Sequence, residues 1–178
     1  FVLICFVVST AATLPAETVI DAWNTVKAPP PPKLERVTLE AASTALLLLD
    51  FNKQVCNNER RPRCIASIPA VSKLTEKARS GKVAVVYSLT IGSSAGDVAQ
   101  ALAPKGTEPA VTSGPDKFFG TELEKILKER NIKTVIVTGT AAHGAVLYTA
   151  SGAALRGLKV VLPVDGISAE DLYPEQYT

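Results

Sequence analysis

The sequence predicts an α/β fold, a three-layer αβα sandwich on a mostly parallel sheet. Continuous apolar runs such as Thr44–Leu49 and Thr134–Thr138 read as strands buried on both faces. Segments with helical spacing and cap signals stand between the runs, and such alternation implies right-handed crossovers between parallel strands. Polar groups fall where the runs end, with Asp50 after the first, the Gly139 turn after a later one and Asp165 after the last. Ligands in open α/β sheets bind along that edge.

The chain has 178 residues, which suits one domain with a real core. Phe1–Val8 is a short apolar run followed by the small residues Ser9–Ala12. Two readings of residues 1–12 stay open, the apolar part and cleavage site of a secretory signal, or a buried strand. The run is too short to span a bilayer as a helix. The chain has no Met, so it is read as starting inside its gene product. Residues 13–43 form a polar lead-in around Pro29–Pro32, where consecutive prolines favour an extended segment. The domain proper is expected over 44–178.

After strand Thr44–Leu49, a helix is expected from Ser67 as N-cap, with Pro69 in its first turn, stopping at Gly81. Lys82–Ser88 is the second strand. Ile91–Ser113 reads as a loop with one short helix at Asp97–Leu102. Thr121 and Glu124 have capping-box spacing, and Leu123, Ile126 and Leu127 give the next helix an apolar stripe. Strand Thr134–Thr138, a helix to about Arg156 capped by Gly157, and strand Lys159–Val164 complete the pattern.

A net charge of +2 with no basic run interleaved with aromatics gives no support for a nucleic-acid partner. Cys56 and Cys64 flank a polar loop and are candidates for a small disulfide ring, which would persist in an oxidising compartment. The expected location is therefore secreted or periplasmic. The turn Gly139–Ala150 leads from a strand into a helix, a place where backbone N–H groups can hold an anion or a developing oxyanion.

Asp50-Phe51-Asn52 after a strand, Phe-Phe-Gly-Thr-Glu-Leu at 118–123, Val-Thr-Gly from Val137 with Thr149-Ala150 beyond it, and Val164-Asp165 occur in this order and spacing. Together they resemble the isochorismatase-like hydrolase superfamily, also called cysteine hydrolases, over roughly Thr44 to Asp165. The resemblance implies a Rossmann-like sandwich, a small-molecule substrate, no cofactor and a homo-oligomer. It also implies an Asp base (Asp50), a Lys that holds the carboxylate charge, and a Cys nucleophile. The seventh position from the turn glycine, where that Cys belongs, is Ala145, so a thioester route is not available there.

True isochorismatases also lack the Cys and resemble this chain in reading Ala-His, here Ala142-His143. Their vinyl-ether cleavage needs an acid that protonates the enol carbon, which points to Asp50 as general acid or base. The family Lys position falls on Thr112, and Lys117 is the nearest replacement if the loop at Gly114-Pro115 bulges. The peptide near Thr140-Ala141 is expected to be cis, as in the family. Candidate substrate-binding residues are Asn52, Ala141, His143 and Gly144. Asn52 either orients Asp50 or caps its loop. The nicotinamidase branch's metal-binding Asp/His set is absent, so no metal is expected. A further helix and strand normally follow the position of Asp165, and residues 168–178 would only begin that helix. A catalytically silent, ligand-binding domain is the rival reading.

Overall fold

A computed structural model describes residues 18–178, so the segment 1–12 lies outside the described residues. The chain divides into two units, ending at Glu35 and beginning at Arg36. In the first, the short helix α1 (Val19–Ala22) is capped by Thr18, whose hydroxyl accepts from the Asp21 N–H. Exposed chain without regular structure follows through the prolines.

The second unit is built on a parallel six-stranded sheet. Its strands are β1 (Thr44–Leu49), β2 (Ala84–Leu89), β3 (Ala110–Thr112), β4 (Thr134–Thr140), β5 (Lys159–Val161) and β6 (Ile167–Ser168). The order is β3-β2-β1-β4-β5, with β6 continuing beside the far end of β4. β1 is buried along its whole length, which is why its side chains are apolar without alternation. The helices are α2 (Pro62–Ser80), α3 (Leu123–Glu129), α4 (Leu147–Leu155) and α5 (Leu172–Tyr177). Leu47, Val135, Val137, Leu123 and Ala153 fill one apolar layer, and Leu46, Leu48, Val71 and Tyr87 the other. The three-layer α/β expectation holds.

Local differences have identifiable causes. α2 starts at Pro62 rather than near Ser67, because Pro62 itself occupies the first turn, where a missing N–H costs nothing. Pro69 then lies inside the helix, at the loss of one backbone bond. β3, inside the expected loop, has only Val111 buried. The expected short helix is a pair of 3₁₀ turns, Ala95–Asp97 and Gln100–Leu102. The capping box at Thr121 does not form: Thr121 Oγ1 donates to Lys117 O, and Glu124 pairs with Lys128 and Arg156. Strand β5 stops at Val161, ahead of Pro163, which has no ladder N–H. Gly157, at φ 77°, ends α4 as expected, with Leu158 N–H donating to Ala153 O.

Beneath α2, Tyr87 Oη donates to Leu102 O at 2.7 Å and accepts from Arg79, which also forks onto Glu108. Burial pushes the Glu108 carboxyl up, but the Arg79 fork and the Lys105 N–H hold it below its usual value. Burial also pushes the Tyr87 phenol up to about 12. Its unfolded value is about 10, so the neutral phenol stabilises the fold below that pH, and the contribution is lost as pH rises toward the folded value. Urea midpoints are expected to fall more steeply between pH 10 and 12 in the wild type than in Tyr87→Phe. Equal slopes would refute this role.

Candidate active site

Asp50 follows β1 directly, at φ 57°, a left-handed conformation that Asp tolerates better than most residues. Its N–H donates to Ser88 O, continuing the β1–β2 ladder one step beyond the strand. The carboxylate is satisfied on both oxygens. Ser88 Oγ donates to Oδ1 at 2.8 Å and Lys117 Nζ to Oδ2 at 2.7 Å. Asp50 is 5% exposed and Lys117 1%, so this is a buried, hydrogen-bonded ion pair. Such a pair must be nearly complete to offset the desolvation of two charges.

Lys117 reaches Asp50 because the chain from Ser113 to Phe118 folds back on itself. Ser113 Oγ donates to Asp116 O and Phe119 O, and Lys117 Nζ also donates to Ser113 O at 3.3 Å. Thr149 on α4 anchors the segment, its Oγ1 accepting the Lys117 N–H at 3.2 Å. Gly152, a turn further on, lets α4 pack close: a Cβ there would sit 3.1 Å from Phe118 Cδ2 and 3.2 Å from Asp116 Oδ1. Lys117, five residues beyond Thr112, is thus the lysine that meets the Asp50 carboxylate. The Thr149 anchor lies four residues, one helical turn, beyond Ala145.

On the neighbouring strand, β4 passes through Gly139, paired with Leu49, and the Thr140–Ala141 peptide is cis as expected. A π-helical turn over Ala142–Val146, not a regular helix, follows and joins α4. The N–H groups of Gly144 and Val146 both return to Ala141 O, so those donors are occupied. Ala141 and Ala142 are buried, and Ala145 is 5% exposed, packed in the core with no nucleophile. His143 lies in the same turn, its ring centroid 6.5 Å from that of Tyr177.

Asn52 does not orient Asp50. Its amide donates to Gln54 Oε1 and Thr90 Oγ1, and it bridges to Val98, which ties two loops together. Cys56 and Cys64 form the expected disulfide, with Cα atoms 5.4 Å apart. Within the loop that the disulfide closes, Arg61 pairs with Glu170 and Arg63 with Glu175. Among the described residues no three His, Cys, Asp or Glu side chains converge as metal ligands would, and no helix is long and apolar enough to cross a membrane. An open cleft of about 220 Å³ includes Arg63, Ser67, Asp165 and Glu175 in its wall, but not Asp50 or Lys117. Ser88, Ser113 and Thr149 are parts of the site that the sequence did not reveal. The one hint was a Ser at the sheet edge of an otherwise apolar strand.

A model of the isochorismatase domain matches residues 44–177. No curated protein sequence matches the chain. Among solved structures, an isochorismatase-like hydrolase from Alkaliphilus metalliredigens is similar at a TM-score of 0.71 and 25% identity, over 76% of this chain and 86% of that one. A cysteine hydrolase from Pseudomonas syringae pv. phaseolicola 1448A is similar in fold at a TM-score of 0.71 and 24% identity, over 79% of each. The N-carbamoylsarcosine amidase from Thermoplasma acidophilum shares the fold at 0.67 and 22% identity, over 76% and 90%. The domain match spans the whole sheet and the Asp50–Lys117 site, and the chain belongs to the isochorismatase domain family of hydrolases.

Proposed function

We propose that this protein hydrolyses a small molecule by acid–base chemistry centred on Asp50, without a covalent intermediate. The observation that carries the reading is the buried Asp50–Lys117 pair, with Ser88 on the second carboxylate oxygen. No thiol stands at Ala145 to form a thioester, so the amide route that the cysteine members use is closed. An enol ether needs only a proton on its terminal carbon and a water. Protonation there makes an oxocarbenium ion, water adds to it, and the hemiketal collapses to a keto acid and an alcohol. In this scheme Asp50 takes up a proton as substrate binds, delivers it to that carbon and recovers one from the attacking water, while Lys117 holds its carboxylate in place between turnovers.

Isochorismate, a soluble enol ether of this class, is the probe. Pyruvate release that disappears in Asp50→Asn is the expected result. Release that survives the substitution would remove Asp50 from the chemistry. A second reading, a ligand-binding domain without turnover, is favoured by Ala145 itself. Saturable binding of the probe with no pyruvate formed would select it.

The disulfide supports export to an oxidising compartment, and family resemblance supports a homo-oligomer. Titration of the denatured, unreduced protein is expected to find no free thiol from Cys56 or Cys64. Two thiols from that pair would weigh against export. Ala145→Cys tests the pocket in another way. If position 145 faces the Lys117 ammonium, a thiol there is expected to react with iodoacetamide at neutral pH roughly tenfold faster than after Lys117→Met, about one pKa unit of thiolate stabilisation. Equal rates would separate Ala145 from the Asp50–Lys117 site.

A further inference from the structure

Among the described residues, His143 Nδ1 and Ser168 Oγ are buried side-chain polar atoms with no hydrogen-bond partner. Native proteins seldom leave such atoms unpaired, and each one calls for a reason. Both lie at the same end of β4. Ser168 pairs in register with Thr140, whose Oγ1 donates to Ser168 O at 3.2 Å, and His143 follows in the turn that carries Ala145. Ser168 is 1% exposed. The orphaned groups therefore flank the Thr140–Ala141 peptide, on the sheet edge that ends in Asp50.

We infer that Ser168 and His143 form a specificity subsite that takes a neutral hydroxyl of the substrate; this rests on the small-molecule reading above. A serine hydroxyl donates and accepts, and an imidazole nitrogen does one or the other by tautomer, so a hydroxyl satisfies both whichever tautomer is present. A charged group fits poorly. The cations nearby are already engaged, Lys117 with Asp50, Arg61 with Glu170 and Arg63 with Glu175, and an unpaired charge is costly to bury. Tyr177 faces the His143 ring, and the Glu170 and Glu175 carboxylates nearby pair with Arg61 and Arg63.

Saturated ethers, which cannot be hydrolysed by this route, separate the subsite from the chemistry. Calorimetry on the full chain compares 2-(2-hydroxyphenoxy)propanoate with 2-phenoxypropanoate. The hydroxylated ether is expected to bind roughly 3–10-fold tighter, the scale of one or two hydrogen bonds. Ser168→Ala is expected to abolish that preference while leaving thermal stability equal or higher, because it deletes a hydroxyl unsatisfied within the fold. His143→Phe, which keeps a ring against Tyr177, is expected to reduce the preference as well. No preference in the wild type, or one unchanged in Ser168→Ala, overturns the subsite. A marked loss of stability in Ser168→Ala also overturns it, by pointing to a structural water. Loss of pyruvate release from isochorismate is a separate result and bears only on the acid–base reading.

Discussion

Lys117→Met is expected to destabilise the protein by about 3–5 kcal/mol, the usual cost of stranding one member of a buried ion pair. For a chain of this size that corresponds to a melting temperature lower by roughly 10 °C. Met fills most of the space of the Lys stem, so little of the loss comes from a cavity. It comes from the Asp50 carboxylate, 5% exposed and left with Ser88 as its only side-chain donor among the described residues. The penalty should largely disappear in the double variant Asp50→Leu/Lys117→Met, which removes both charges and leaves apolar groups in an apolar setting. Activity is expected to vanish in both. Thermal melts of wild type, single and double variants measure the coupling. If Lys117→Met melts within 1–2 °C of wild type, the pair is not the buried, mutually dependent unit that its geometry indicates.

How much of this could be read from sequence depended on the range of the interaction. β1 and β4 were plain, because a strand buried on both faces writes its burial into a continuous apolar run. The cap at Gly157 was plain for a local reason, the positive φ that ends α4. Lys117 was harder. Its contact with Asp50 spans 67 positions and depends on a bulge held by Ser113 and Thr149, whose hydroxyls look like any loop or helix polar residue. Ser88 was missed because cross-strand register, not its own neighbours, puts its hydroxyl on Asp50. The start of α2 was misplaced because the sequence contains two prolines suited to a first turn, and the earlier one holds that place. Asn52 had balanced alternatives, and its two side-chain partners decided for loop fixing.

Gly139→Ala is expected to cost roughly 3 kcal/mol, combining about 1–3 from overpacking with about 1–3 from backbone strain. Gly139 has φ 141°, and a Cβ there would stand 2.3 Å from Leu49 O and 2.6 Å from Leu49 Cβ. Neither neighbour can swing aside. Both belong to a central strand fixed between β2 and β4, so relief must come from separating β1 and β4 at the end where Asp50 and the cis peptide sit. The substitution should therefore impair activity by more than its loss of stability alone explains, with the residual defect measured well below the melting temperature. Gly157→Ala is the control, since its φ is 77° but nothing lies within 4 Å of the added carbon. It should cost about 1–2 kcal/mol of left-handed strain and leave activity intact. Melts and rates for the two variants separate close approach from backbone conformation. Equal stability losses, with activity unchanged in Gly139→Ala, would show that strand contact at Leu49 does not position the site.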